Sequence, residues 1–307
     1  MFVEPDDVRK IEARTRNFRA LDYRYGGGRC LAAVAAYQTR ASRLLVRGCS
    51  DSVRRRLCLA VADLANLAGW TAFDAGRADL AHAAFDEALR LADAGEDAVL
   101  VSNICYRKGR VFLHHGRSRQ ALGAFRRGEH AAVSGGSSLM LSVLRANTAW
   151  AYAQLGDSRA ALRWLGRARA AFDEADLTDV PPYAAFFGET DLAAMAGTVH
   201  NELATTSDPG HAGAAISELT GVVDSYPCGM ARSKAFCLTM LATSHLVDGD
   251  ADRSAEVADA VLTDAGSLKS SRLTDRLRPL WTQAHVRRAN ADARDLADRI
   301  ADPRTAA

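Results

Sequence analysis

The sequence predicts an all-α fold: a right-handed superhelical solenoid of stacked helix pairs with capping helices at both ends. Two observations carry that expectation. Alanine is abundant and strand signals are absent; alanine is the strongest helix former and allows helices to approach closely. In addition, a set of small, bulky and glycine landmarks recurs in register every 40 residues, the trace left by repeated supersecondary units that bury their apolar faces by stacking.

Residues 1–50 read as an N-terminal helical hairpin, with helices over 6–22 and 29–48 around three glycines at 26–28. Residues 51–175 hold three regular pairs, whose turn glycines are Gly76, Gly116 and Gly156. Five residues after each glycine stands a small residue (Ala81, Ala121, Ala161), four further a bulky one (Phe85, Phe125, Leu165), and three later another small one (Ala88, Gly128, Ala168). Seven before the glycine lies Gly69, Gly109 or Ala149. This is the tetratricopeptide pattern. The turn glycine is expected to end the first helix of each pair in a left-handed conformation. The small residues are expected at the close contact within a pair, and the bulky one in the layer between pairs. In the links at 93–98 and 134–138, glycine is expected to stop one helix and Asp or Ser to cap the next.

Residues 176–265 read as two divergent pairs after a proline-containing link, EADLTDVPPYAAFFGE at 174–189. Gly210, Ala215, Leu219, Val222 and Pro227 fit the fourth pair; Gly249, Ser254, Ala258 and Val261 fit the fifth. Residues 266–307 read as C-terminal capping helices. All these segments are expected to form one continuous solenoid.

Composition narrows the function classes. A net charge of +2 is too small for a nucleic-acid or anionic-membrane binder. The arginine clusters at 54–56, 126–127 and 287–288 are short and lack interleaved aromatics, so they read as solvated faces. Six cysteines occur without a C-x-x-C or a regular framework, and Cys30, Cys58, Cys105 and Cys237 sit in apolar helical stretches. There a reduced thiol acts as a small hydrophobe. The N-terminus has no apolar core of a signal peptide, and no apolar run approaches the roughly 20 residues of a membrane helix. A cytoplasmic location with no membrane partner is expected.

No phosphate-binding glycine loop, zinc-protease motif or nucleophile elbow is present, so no enzyme, cofactor or metal is expected. His114 and His115 are sequence neighbours that point in different directions on a helix, which is not the i, i+4 spacing of a metal pair. The helix opening after glycines 26–28 reads either as an anion site at a helix N-terminus or as a plain interhelical turn. Glu189 and Asp191 suit the dipole at the start of a helix.

The informative surface is the inner face of the first helix of each pair. Counting back from the turn glycines places Asp63, Asn66 and Trp70 there, then Asn103, Tyr106, Arg107, Arg110 and His114, then Asn147, Trp150 and Gln154. Asn and Gln offer a peptide backbone both a donor and an acceptor, and Arg can grip a carboxylate bidentately. Trp70 and Trp150 read equally well as apolar anchors for a ligand or as packing between pairs. The expected partner is a peptide, a protein segment or a small effector. The alternatives are a structural scaffold or homodimer joined through the terminal helices, and the effector domain of a DNA-binding regulator.

Four phrases carry a family resemblance: LDYRYGGGRC (21–30), LAGWTAFDAGRADLAHAAFDEALRLA (67–92), PPYAAFFGETDLA (181–193) and RSKAF in the fifth pair. The chain resembles the C-terminal, tetratricopeptide-like sensor region of actinobacterial transcriptional regulators that carry an N-terminal Xre-type helix-turn-helix. In that family the DNA-reading helices precede the segment matching DDVRKIEARTRNFRALDYRYGGG, and here Met1 begins almost on it. The resemblance therefore implies a regulatory sensor or interaction module without its helix-turn-helix, and without direct nucleic-acid binding.

Overall fold

The computed structural model describes residues 2–226, 230–265 and 271–301. Pro227 and Cys228 lie outside them. Among the described residues there are fourteen α-helices and no strand. They are α1 (Pro5–Tyr25), α2 (Gly27–Ser42), α3 (Asp51–Asp74), α4 (Ala78–Ala94), α5 (Ala98–His114), α6 (Ser118–Ser134), α7 (Ser138–Gln154), α8 (Ser158–Asp173), α9 (Glu189–Thr206), α10 (Ala212–Val223), α11 (Ala231–Asp248), α12 (Ala251–Ala265), α13 (Ser271–Val286) and α14 (Ala291–Ala301). A 3-10 turn, Pro209–His211, leads into α10.

The chain divides into two compact units, Met1–Leu144 with Ala170–Phe186, and Arg145–Arg169 with Phe187–Ala307. The division falls inside α7 and α8, a boundary that the 40-residue repeat does not mark. In the first unit α3 packs on α4 and α5 on α6, while α1 and α2 both lie against α3. In the second, α9 packs on α10, α11 on α12, and α13 joins α11 and α14.

The turn glycines behave as the spacing predicts. Gly76, Gly116 and Gly156 have φ of 75°, 68° and 74°. After each, the next amide reaches back to a carbonyl five residues earlier, as Arg77 N does to Ala72 O at 2.8 Å, closing a Schellman motif. Gly249 repeats this with φ 98°. Gly210 does not. It sits in the 3-10 turn, where the Asp208 carboxylate accepts from its amide at 2.9 Å, so the fourth pair turns on an aspartate cap instead of a left-handed glycine.

One packing assignment differs from expectation, that of the bulky residue. The rings of Phe85 and Phe125 lie inside their own pairs: a Cβ on Gly69 would stand 2.7 Å from Phe85, and one on Gly109 only 2.1 Å from Phe125. Glycine is required there because the aromatic ring occupies the space of a side chain. Where the third pair has the smaller Leu165, the matching position is Ala149. The small residue Gly128 makes the expected close contact within its pair, where a Cβ would meet Cys105 of α5 at 2.9 Å, and also serves the layer towards the next helix, where it would meet Leu144 of α7 at 2.7 Å.

The links show a similar division of labour. Asp97 caps α5, accepting from the Leu100 amide at 2.8 Å, and Ser137 caps α7 through the Met140 amide at 3.3 Å. In the first link, however, the left-handed residue is Glu96 (φ 57°). Gly95 is held to glycine by contact, since a Cβ would lie 2.4 Å from Leu59. Cys30, Cys58, Cys105 and Cys237 are buried free thiols. Burial pushes Cys105 up to about 11 and Cys237 up to about 12, which keeps both neutral. No helix among the described residues is long and apolar enough to cross a membrane.

Candidate functional site

The first unit gathers a buried polar and aromatic cluster from α1, α3, α5 and the segment before α9. Asn66 and Asn103 are both fully buried, and the Asn66 carboxamide donates to Asn103 Oδ1 at 2.9 Å. Asn103 Nδ2 in turn donates to the backbone carbonyl of Tyr183 at 3.1 Å. The Asn103 carboxamide thus holds a peptide carbonyl of the chain's own link.

That link is shaped for the task. Pro181 and Pro182 fix their own φ, and the amides of Ala184 and Ala185 both return to the Pro181 carbonyl, at 2.8 and 3.1 Å. The resulting turn presents two aromatic rings. Tyr183 is buried and its hydroxyl points to Asp97 Oδ2 at 3.5 Å. Phe186 stacks on Tyr106 with ring centroids 5.4 Å apart and planes at 12°, a parallel arrangement of the kind aromatic pairs favour.

Cationic groups line the same cluster. Arg19 is only 4% exposed and gives Nη2 to both oxygens of Asp63, at 2.6 and 2.7 Å. Desolvation works against the Arg19 charge, but the Asp63 carboxylate outweighs it and holds the guanidinium above its ordinary value. Arg107 lies over the Trp70 ring at 5.2 Å and donates to the Asn66 carbonyl at 3.3 Å. Burial, with Arg19 nearby, lowers its pKa. Arg110 is half-buried, and desolvation lowers its pKa too. His114 sets its ring edge-on to Phe73 at 5.1 Å.

Hydrogen-bonding capacity is left over. Among the described residues, Nε and Nη1 of Arg19, the Tyr23 hydroxyl and Oδ1 of Asn66 are buried with no hydrogen-bond partner. Each such group costs about 1–3 kcal/mol, and four in one cluster mark it as the place where polarity is retained against stability.

The sequence-predicted residues therefore separate. Asp63, Asn66, Trp70, Asn103, Tyr106, Arg107, Arg110 and His114 belong to the first unit, while Asn147, Trp150 and Gln154 belong to the second. Asn147 is buried, and Gln154 half-buried. The Trp150 indole donates to the Glu202 carboxylate at 2.8 Å with Arg276 over its ring at 5.1 Å, so it packs into the second unit. Burial pushes the Glu202 pKa up, against the pull of Trp150 and Arg276.

Sequence reasoning missed Arg19, Tyr23, Tyr183 and Phe186. Tyr183 and Phe186 sit in a link without periodicity, and only the run of two prolines and three aromatics at 181–187 hints that it is more than a spacer. The anion reading of glycines 26–28 resolves internally: the Gly27 amide donates to Asp74 Oδ2 at 2.6 Å, so a buried carboxylate of α3 already occupies the N-terminus of α2. Glu189 and Asp191 lie in the first turn of α9, where Asp191 accepts from the Gly188 amide at 3.1 Å. Among the described residues, no three His, Cys, Asp or Glu side chains converge as a metal site. No protein-family model matches the chain, and no curated protein matches it.

Proposed function

We propose that this chain is a regulatory interaction module. It is built as a tetratricopeptide-like solenoid and accepts a peptide or protein segment on the inner face of its first unit. The observation that carries the reading is the bond from Asn103 to the Tyr183 carbonyl. It is sequence-independent recognition of a peptide backbone, combined with side-chain recognition through the Tyr106–Phe186 stack. A face that holds one proline-led aromatic segment has the chemistry to hold another. The unspent donors of Arg19 and the Tyr23 hydroxyl offer a carboxylate or carbonyl of the incoming segment the bonds that the chain's own link does not make. The resemblance to the sensor regions of Xre-type regulators supports the same reading, with peptide occupancy as the signal and a further protein as its receiver.

A labelled peptide with the sequence of residues 180–188, VPPYAAFFG, tests this. Added to a chain whose own link is loosened by Tyr183→Ser and Phe186→Ser, it should bind more tightly than to the unaltered chain, as read by fluorescence anisotropy. Asn103→Ala and Arg110→Ala on that background should each weaken binding. Binding that both substitutions leave unchanged, or no binding to any form, contradicts the proposal.

A further inference from the structure

We propose that His200 and His211 form a two-histidine clamp for a first-row divalent metal ion of the zinc or nickel type. His200 lies near the end of α9 and His211 closes the 3-10 turn that leads into α10. Their Nδ1 atoms face each other at 3.3 Å, with ring centroids 5.4 Å apart and planes at 39°.

At that separation one neutral imidazole can donate a hydrogen bond to the other. The same separation matches a shared metal. With metal–nitrogen bonds of about 2.0–2.1 Å, tetrahedral geometry sets neighbouring ligand nitrogens about 3.3–3.4 Å apart.

The rings are also held in place by rigid backbone. Asp208 N bonds Leu203 O at 2.9 Å, His211 N bonds Asp208 O at 3.1 Å, and Gly210 N bonds the Asp208 carboxylate at 2.9 Å. The turn is thereby fastened to the last turn of α9 without help from the imidazoles. Both rings are half-buried, so solvent reaches the pair and water can complete the coordination sphere. The site is therefore exchangeable, unlike a closed structural centre.

The surroundings accept a cation. Glu218 of α10 favours positive charge at His200, and Arg169 opposes it, but these two pair with each other at 2.6 Å. A neutral imidazole is the form that binds metal. A bound ion would tie α9 to the entrance of α10.

Calorimetric titration of the whole chain with Zn²⁺ and, separately, Ni²⁺ tests the clamp. One ion should bind per chain at neutral pH, and the melting temperature should rise with it. His200→Asn and His211→Asn should each weaken binding at least tenfold, the lower end of what even outer-shell losses cost a metal site, while His115→Asn leaves it unchanged. The absence of saturable one-to-one binding, or binding that survives both substitutions, overturns the proposal. If either variant melts below the unaltered chain without metal, electron paramagnetic resonance of the Cu²⁺-loaded unaltered chain decides. Hyperfine coupling to two imidazole nitrogens supports the clamp, and its absence contradicts it.

Discussion

At the scale of single residues, the fold depends on where a side chain is forbidden. Gly109 is occupied in effect by the Phe125 ring, so Gly109→Ala forces a ring already in the core to move, an overpacking cost of about 1–3 kcal/mol. Gly123, in α6 with nothing near its missing Cβ, is the control. Gly123→Ala should stabilise by about 0.4–1 kcal/mol, and the two melting curves should shift in opposite directions. The Arg19–Asp63 pair makes a second residue-scale prediction. Asp63→Ala leaves a buried guanidinium without its carboxylate and should cost about 3–5 kcal/mol in denaturant unfolding. Glu202 makes a third. Because burial raises its pKa in the folded state, that state holds the proton more readily than the unfolded chain. Stability from this group is therefore full below the ordinary value of 4.5 and declines as pH rises through the raised one. Glu202→Gln, which keeps an acceptor for Trp150, should flatten that part of the stability–pH curve.

At the scale of elements, the helix pairs were legible because their landmarks are local. Each turn glycine, small residue and ring recurs at fixed offsets, and offsets survive in a sequence. The place of the Phe125 ring against Gly109 of its own pair was not legible, since spacing says that a small and a large residue recur but not which of them meet. The contact between Asn103 and the proline link was also hidden. Asn103 and Tyr183 are 80 residues apart, and the segment joining them to the cluster has no period to reveal it. The same holds for Gly27 and Asp74, 47 apart. This contact anchors the start of α2 to α3, so Asp74→Ala should leave a buried amide unsatisfied, at a cost of about 1–3 kcal/mol. Amide exchange should accelerate first in α2, and uniform acceleration throughout the first unit would contradict that assignment.

At the scale of the whole molecule, the two compact units carry their own cores. Phe125 and Leu144 are fully buried in the first, and Leu219, Leu246 and Leu280 in the second. Helical repeat chains lose cooperativity when stability is distributed among neighbours. Scanning calorimetry should therefore give a calorimetric enthalpy exceeding the van't Hoff value. Phe125→Ala and Leu219→Ala should lower different parts of the transition; a single two-state peak that both shift together would contradict independent cores. The proposed function rests on the buried asparagine cluster of the first unit, and the side-chain amides of Asn66 and Asn103 report on it directly. With asparagine labelled selectively with nitrogen-15, and the two resonances assigned by their loss in Asn66→Ala and Asn103→Ala, the 180–188 peptide is titrated into the chain with the loosened link. The account predicts that both side-chain amides shift in a saturable manner. Resonances that stay in place while the peptide binds, or that never respond at any concentration, would contradict it.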